Sequence, residues 1–210
     1  MNMHHIIITG ASRGIGHATA LLYASMGWNI SICSRHCDYQ MTQTQDAITA
    51  AGGQYFSFCG DMGNAADAEE FLTKAVQTFG TPEILVNNAG ISHIGLLQDM
   101  TPMQWDDIIR TNLSSVFYTS RVIIPYFLQE KHGRIINVSS VWGSVGASTE
   151  VAYSTTKGGI NAFTKALAKE LAPSGIPVNA VACGMIDTSM NSFLDPEELA
   201  AVIDEIPAGR

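Results

Sequence analysis

The amino-acid sequence predicts an α/β fold in which a doubly wound parallel sheet of six strands is covered by helices on both faces. Short β-rich runs alternate with helix-length segments along the chain, which is the pattern of repeated βαβ units. The runs are nearly continuous in apolar residues, as strands buried on both faces require. No internal repeat, low-complexity tract or linker interrupts the alternation, so we expect a single domain over 1–210.

Each strand is predicted from a β-rich run, and each helix from a longer segment between two such runs. The strands are HIIIT (5–9), NISICS (29–34), QYFSFC (54–59), EILVNN (83–88), RIINVS (134–139) and PVNAVA (177–182). The helices are expected near 14–27, 40–51, 64–79, 102–131 and 152–172.

The composition excludes several classes of protein. The formal net charge is −8, which disfavours nucleic-acid binding, because that requires a basic face, and attraction to anionic lipid. No run of 18 apolar residues occurs, and the amino terminus lacks the charged and apolar regions of a signal peptide. We therefore expect a cytoplasmic protein that binds neither nucleic acid nor membrane.

The four cysteines are expected to be free thiols in a reducing compartment. Cys33, Cys37, Cys59 and Cys183 fit neither the spacing of a zinc site nor a Cys-x-x-Cys motif. Three of them lie in or just after apolar strand-like runs, where a free cysteine behaves as a small hydrophobe. No metal site is predicted.

A glycine-rich turn follows the first strand and opens the first helix. Its sequence is TGASRGIG, with the spacing Gly10-x-x-x-Gly14-x-Gly16. Glycines at such a turn let the backbone approach a pyrophosphate, toward which the free N–H groups of the helix then point. We expect this turn to bind a dinucleotide through Gly10, Ser12, Arg13, Gly14, Ile15 and Gly16.

The end of the second strand predicts which dinucleotide binds. An NAD site usually has an acidic residue there for the adenosine ribose, whereas this chain has Ser34 followed by Arg35, with Arg13 in the glycine turn. Guanidinium groups can pair with a 2′-phosphate, which a carboxylate would repel. NADP(H) is therefore favoured over NAD(H), although Arg35 could instead be a solvated residue at the strand end.

Tyr153 and Lys157 form a third motif, in the segment VAYSTTKGG. Residues four apart lie on the same face of a helix, so a phenol and an ammonium would point at the same volume. A lone pair of this kind is usually an ordinary surface pair, and only its surroundings can give it a function.

The ordered set of motifs resembles the short-chain dehydrogenase/reductase family, whose fold is Rossmann-type, over nearly the whole chain. TGASRGIG resembles the family's glycine turn, and NNAG (87–90) resembles the segment after its fourth strand. Asn112, Ser140, Tyr153 and Lys157 match the catalytic tetrad; the family's usual separation of thirteen positions between the serine and the tyrosine selects Ser140 over Ser139. The resemblance also implies cofactor contacts from Tyr153 and Lys157 themselves and from Asp61 (to the adenine amino group), Met62, Asn88, Ala89, Gly90, Gly184, Ile186 and Thr188.

The resemblance assigns a role to each tetrad residue in the reduction of a ketone. Tyr153 would give a proton to the carbonyl oxygen, Ser140 would hydrogen-bond that oxygen, and Asn112 would hold a water that passes protons to Lys157. Lys157 would also reach the nicotinamide ribose. An ammonium about 5 Å from the phenol favours phenolate by roughly 3 kcal/mol at an effective dielectric constant of about 20, so we expect it to lower the pKa of Tyr153.

Two features depart from the family pattern. In VNAVACGMIDT (178–188) Cys183 stands where the family has proline, which could loosen the loop that carries Ile186 and Thr188, because proline fixes the backbone. The sequence also stops at IPAGR (206–210), before the family's last helix and seventh strand. We expect the sixth strand to be an apolar sheet edge, either because the given chain is shorter than the gene product or because a neighbour covers the edge.

The closest branch by resemblance is that of the 3-oxoacyl-[acyl-carrier-protein] reductases, which implies a ketone on an acidic carrier protein. Lys131 and Arg134 could supply part of a basic docking patch, but Ser174 stands where such reductases often have a basic residue, and the charge of −8 would repel the carrier. Glu150 would equally suit a polar substrate. The alternatives are a dehydrogenase of another ketone or secondary alcohol, of sugar or steroid type, and a non-catalytic cofactor-binding relative.

Apolar helix faces in 112–131 and 152–172 predict a homodimer or homotetramer.

Overall fold

Six parallel strands form one sheet with the order β3-β2-β1-β4-β5-β6, which confirms the predicted fold class. The computed structural model describes residues 4–191 and 195–206. The strands are β1 (His5–Thr9), β2 (Asn29–Ser34), β3 (Gln54–Cys59), β4 (Ile84–Asn87), β5 (Arg134–Ser140) and β6 (Val178–Cys183). The strand order reverses between β1 and β4, and in sheets of this kind ligands bind at such a point, beyond the carboxyl ends of the strands.

Helices connect successive strands at the positions expected for βαβ units. They are α1 (Gly14–Ser25), α2 (Tyr39–Ala50), α3 (Ala65–Phe79), α4 (Pro102–Ile109), α5 (Ser115–Glu130), α6 (Trp142–Val145), α7 (Val151–Leu171) and α8 (Pro196–Glu205). The short helix α6 and the helix α8 were not predicted.

The core lies on both faces of the sheet, as the alternation of side chains along β1 shows. Ile7 packs with Phe71, Leu85 and Phe127 on one face. Ile6 and Ile8 belong to the cluster on the other face, which also contains Ile30, Met41 and Ile48. The strands β1, β2 and β4 are buried along their whole length, so the rigid centre of the sheet supports the loops at its carboxyl edge.

The segment 102–131, predicted as one helix, is interrupted at its centre. A π-helical turn spans Arg110–Ser114 between α4 and α5. Such a turn shifts the backbone hydrogen bonds by one residue and has no apolar period of its own, which is why the sequence pattern did not reveal it. The interruption matters because Asn112 lies inside it and is fully buried.

Two of the four cysteines are paired, so the prediction of four free thiols is wrong. Cys37 and Cys59 form a disulfide with Cα atoms 5.7 Å apart, within the usual range for such bonds. Parallel pairing of β2 with β3 sets Ser34 opposite Cys59, which brings the end of β3 beside the residues that follow β2. Cys33 and Cys183 are free, and burial raises the pKa of the Cys33 thiol to about 12.

The two outer strands are far more exposed than the central ones. Most residues of β6 are exposed, including the side chain of Val181, so within the described residues β6 is an apolar edge, as predicted. Residues 207–210 of the IPAGR segment lie outside the described residues. No helix in the described part of the chain is long and apolar enough to span a membrane.

Candidate active site

A cavity of about 350 Å³ opens at the carboxyl edge of the sheet, where β1 and β4 diverge. The glycine turn, the ends of β2, β3 and β4, and the loop after β6 all contribute to its walls. Of the residues predicted from the sequence, the lining contains Gly10, Ser12, Arg13, Gly14, Ile15, Ser34, Arg35, Asp61, Met62, Asn88, Ala89, Gly90 and Thr188.

The glycine turn is held against the end of β4 so closely that side chains would not fit. Gly10 has a φ of +65°, and a Cβ there would lie 2.7 Å from the Cα of Ala89. A Cβ on Gly16 would lie 2.5 Å from the carbonyl oxygen of Gly10. The side-chain amide of Asn88 donates to the carbonyls of Thr9 and Gly10, at 3.0 and 2.8 Å. This exposed backbone at the start of α1 fits a pyrophosphate.

The basic residues that the sequence predicts for the adenosine part of a cofactor lie at the cavity. Arg13 and Arg35 both line it. The guanidinium of Arg35 reaches across the cavity, where Nη2 donates to Thr111 Oγ1 and lies 3.7 Å from Asp61 Oδ1. Asp61 also accepts a hydrogen bond from the backbone N–H of Gly63, at 2.9 Å. The two residues predicted to bind opposite parts of the adenosine are thus neighbours.

Three tetrad residues meet where β5 ends and α7 begins. Ser140 is the last residue of β5, and its hydroxyl lies close enough to that of Tyr153 to lower the pKa of the phenol. The Ser140 oxygen also accepts from the backbone N–H of Trp142, at 3.2 Å. Lys157 is buried, and its Nζ lies 5.4 Å from the centre of the Tyr153 ring. The four-residue spacing on α7 therefore places the cation beside the phenol.

The fourth member, Asn112, is fixed by the backbone of the β4–α4 loop. Its Oδ1 accepts from Ile91 N, and its Nδ2 donates to Ile91 O, both at 2.8 Å. Nδ2 also lies 3.2 Å from the hydroxyl oxygen of Thr156 on α7. A Cβ on Gly90 would lie 3.3 Å from Asn112 Oδ1 and 3.8 Å from Lys157 Nζ. Gly90, which lines the cavity, is therefore the point where the cavity adjoins the tetrad.

Comparison with known proteins agrees with this geometry. Residues 4–199 match the family model described as short chain dehydrogenase. The chain belongs to the short-chain dehydrogenase family. The 3-oxoacyl-[acyl-carrier-protein] reductases FabG of Staphylococcus aureus and Escherichia coli K12 are each 38% identical over 97% of this chain, which covers 83% and 82% of them respectively.

A solved structure shares the whole fold. It is a provisionally assigned short-chain alcohol dehydrogenase from Sinorhizobium meliloti 1021, with a TM-score of 0.93 and 30% identity, and the match covers 100% of this chain and 84% of that one. The protein is therefore an oxidoreductase of this family, and its cofactor is an NAD(P) nucleotide.

Burial of the two central side chains changes their proton affinities. The pKa of Tyr153 is raised, first because the hydroxyl is buried; the hydrogen bond from Ser140 lowers it, and the charge of Glu150 raises it again. Burial lowers the pKa of Lys157 to about 8, and its ammonium donates to the carbonyl of Val138 at 2.8 Å. The prediction that Lys157 lowers the pKa of Tyr153 is thus wrong for this arrangement, in which Ser140 is the group that lowers it.

The loop after β6 lines the main cavity with residues that differ in part from those predicted. Thr188 lines it, whereas Ile186 lines a second groove beside Gly14 and Ile15. Gly184 and Gly16 lie outside the lining of both. Cys183 pairs in register with Ser140, so the residue that replaces the family's proline stands next to the tetrad.

Several residues of the cavity wall were not predicted. They include His36, Asp38, Gln40, Gly60, Ile91, Thr111, Ser189 and Met190. Asp38 could have been noticed as a carboxylate near the end of β2, but its side chain caps α2 by accepting from Met41 N, at 3.2 Å. Among the described residues, no group of three or more His, Cys, Asp or Glu is placed to hold a metal ion.

Proposed function

We propose that the chain is an NADPH-dependent reductase of ketones, with 3-oxoacyl thioesters as its substrate class. The observation that carries this proposal is the meeting of Ser140, at the end of β5, with Tyr153, whose ring has the ammonium of Lys157 beside it, next to a cavity lined by two arginines. This arrangement brings together a proton donor, a hydroxyl that can hydrogen-bond the carbonyl oxygen of a substrate, and a cation.

The reduction adds a hydride to the carbonyl carbon and a proton to its oxygen. A nicotinamide nucleotide held in the cavity would supply the hydride. Tyr153 gives its hydroxyl proton to the oxygen, which its raised pKa permits at neutral pH because the phenol stays protonated. The Ser140 oxygen accepts from Trp142 N, and the Ser140 hydroxyl can turn its own proton from Tyr153 to the developing oxyanion. Lys157 places a positive charge beside the phenolate that forms.

The arrangement at the end of β2 supports NADPH over NADH. Ser34 occupies the place of the usual acidic residue, and its hydroxyl donates to the carbonyl of His36. Arg13 and Arg35 both line the cavity and can offer guanidinium groups to a 2′-phosphate. The nearby carboxylate of Asp38 is engaged at the start of α2.

Apolar side chains near the tetrad support an acyl substrate. Trp142 and Val145 on α6, directly after Ser140, are exposed, and so is Val151, two residues before Tyr153. The names of the relatives, 3-oxoacyl-[acyl-carrier-protein] reductases, support the same class.

Docking of a carrier protein has less support within one chain. Arg134 begins β5 and Ser140 ends it, so at about 3.3 Å per residue the two Cα atoms are about 20 Å apart. Lys131 and Arg134 therefore lie at the opposite edge of the sheet from Tyr153. The exposed side chains of Phe117 and Leu128 on α5 support self-association into a homodimer or homotetramer, which light scattering would test.

A second candidate is the reduction of a polar ketone, such as a sugar. The half-buried Glu150, three residues before Tyr153, accepts a hydrogen bond from the hydroxyl of Ser92 at 2.6 Å. A carboxylate at this position can accept a hydrogen bond from a substrate hydroxyl.

Cofactor oxidation with a substrate panel tests these proposals. We expect kcat/KM to be highest with acetoacetyl thioesters and NADPH, and much lower with NADH. Faster reduction of a hydroxylated ketone would favour the second candidate. No oxidation with any ketone would leave a non-catalytic binding protein, and a preference for NADH would overturn the NADPH assignment.

A further inference from the structure

Four charged side chains form a cluster at the adenosine end of the cavity, and only two of them belong to the predicted site. Arg35 and Asp61 line the cavity. Asp107 on α4 and Arg110 in the π-helical turn stand beside them. We call Arg35, Asp61, Asp107 and Arg110 the arginine–aspartate cluster.

Arg110 bridges the two carboxylates of this cluster. Its Nη1 donates to Asp61 Oδ2 at 3.0 Å, and its Nη2 donates to Asp107 Oδ1 at 2.7 Å. The pair of Arg110 and Asp61 also packs on Gly63, where a Cβ would lie 2.9 Å from Arg110 Cγ and 3.1 Å from Asp61 Oδ1. The carboxylate of Asp61 is thus neutralised and fixed in position from behind.

Arg35 is held more loosely in the same cluster. Its Nη2 lies 3.7 Å from Asp61 Oδ1 and 3.8 Å from Asp107 Oδ1, beyond hydrogen-bond length, and its hydrogen bond in the cluster goes to the neutral hydroxyl of Thr111. A guanidinium with two distant carboxylates and one neutral acceptor can turn toward a stronger anion at small cost.

The charges of the cluster balance at two positive and two negative. When a 2′-phosphate draws Arg35 away, two carboxylates remain with Arg110 alone. Asp107 opposes this movement of Arg35, because its carboxylate attracts the guanidinium back into the cluster. Arg110 favours binding of the phosphate, because without the Arg110 guanidinium the Asp61 carboxylate would repel the incoming phosphate.

We propose that Asp107 and Arg110 set the preference for NADPH over NADH without touching the cofactor. This inference rests on the proposed function of Arg35 as the ligand of the 2′-phosphate. Asp107 weakens NADPH binding by competing for Arg35, and Arg110 strengthens it by neutralising Asp61. Both are positioning residues. Each affects NADH binding less than NADPH binding, because NADH lacks the 2′-phosphate.

The test compares dissociation constants of NADPH and NADH, measured by titration calorimetry. Asp107→Asn keeps an acceptor for Arg110 and removes the charge, so NADPH should bind about two- to fivefold more tightly, the range of exposed ion pairs, with NADH unchanged. Arg110→Gln should weaken NADPH binding by a similar factor and should weaken NADH binding less. The control is Asp106→Asn, because Asp106 is exposed on the same helix and should alter neither constant.

A background that lacks Arg35 separates this role from a merely structural one. In Arg35→Ala, the substitution Asp107→Asn should no longer improve NADPH binding. If Asp107→Asn acted by a general change in the structure of the pocket, its effect on NADPH binding would persist in that background. If the wild-type protein prefers NADPH and Asp107→Asn leaves the ratio of the NADPH and NADH dissociation constants unchanged, this inference is overturned while the proposed function stands. A wild-type preference for NADH would instead remove the proposed function on which it rests.

Discussion

The two ends of the candidate site are built in different ways. At the catalytic end, Asn112 and Lys157 are buried, and each is fixed by hydrogen bonds to backbone groups. At the adenosine end, Arg35 and Arg110 are partly exposed and pair with carboxylates across loops. Replacing a buried group leaves its hydrogen-bond partners unsatisfied, which costs much free energy. An exposed ion pair contributes little to stability or binding by itself and is screened by salt. The catalytic end should therefore be intolerant of change, and the adenosine end adjustable.

The largest effect is expected from Tyr153→Phe. It removes the proton donor and keeps the ring beside Lys157, so kcat should fall by about a hundredfold to ten-thousandfold, the usual contribution of a general acid, while NADPH binding persists. Initial rates with an acetoacetyl thioester and a cofactor titration measure the two quantities. Nearly unchanged turnover would remove Tyr153 from the mechanism.

The next effect is expected from Asn112→Ala. It leaves the backbone N–H and C=O of Ile91 without their side-chain partner, and each unsatisfied buried group costs about 1–3 kcal/mol. We expect the free energy of unfolding to fall by about 2–4 kcal/mol, together with a loss of activity, in denaturant titrations and rate assays.

An exposed asparagine provides the matched control. Asn64 caps α3 by accepting from the N–H groups of Ala66 and Asp67, so Asn64→Ala should lower stability by about 1 kcal/mol and leave turnover intact. Equal losses of activity in the two variants would show that the position of Asn112 has no special role.

The pH dependence of the catalytic end should follow Lys157. Its pKa is lowered to about 8 by burial, so the ammonium is present below that pH and is lost as the pH rises through it. Tyr153 remains protonated over the same range, because its pKa is raised above its ordinary value. The kcat/KM for reduction should therefore decline above about pH 8, which stopped-flow rates can follow.

Lys157→Arg checks this assignment, because a guanidinium keeps its charge throughout that range. Whatever activity the variant retains should lack the decline near pH 8. If the decline persists unchanged, another group titrates, and the account of the buried lysine is wrong.

The smallest effect is expected from salt at the adenosine end. The arginines proposed to bind the 2′-phosphate are exposed to solvent, so raising NaCl from about 0.05 M to about 0.5 M should weaken NADPH binding several-fold by screening. NADH binding and kcat at saturating cofactor should change less. Equal salt dependence of the two nucleotides would place the 2′-phosphate away from Arg13 and Arg35.

The sequence predicted the fold and the shared helix face of Tyr153 and Lys157 well, because both depend on local patterns, whereas the catalytic roles of the tetrad residues stay a prediction. The order of β-rich runs indicates a parallel sheet, and the spacing of Tyr153 and Lys157 indicates one helix face. The π-helical turn at Asn112 was not predictable from apolar periodicity. The pairing of Cys37 with Cys59 depends on the alignment of β2 with β3, which no local pattern gives.

The electrostatics of the site were the least predictable part. The position of Arg35 depends on Asp107 and Thr111, which lie far along the chain. The pKa of Tyr153 depends first on burial, and burial arises only when α7 packs against the rest of the fold. A motif identifies such groups, but the environment that surrounds them is a property of the whole structure.

Transfer of deuterium from NADPH labelled at both C4 positions tests the central claim most directly. Wild-type protein with an acetoacetyl thioester should give a 3-hydroxyacyl product with one deuterium on the carbinol carbon, and Tyr153→Phe should give almost none in the same time. Oxidation of the cofactor without label in the product, or equal labelling by both proteins, would contradict the account.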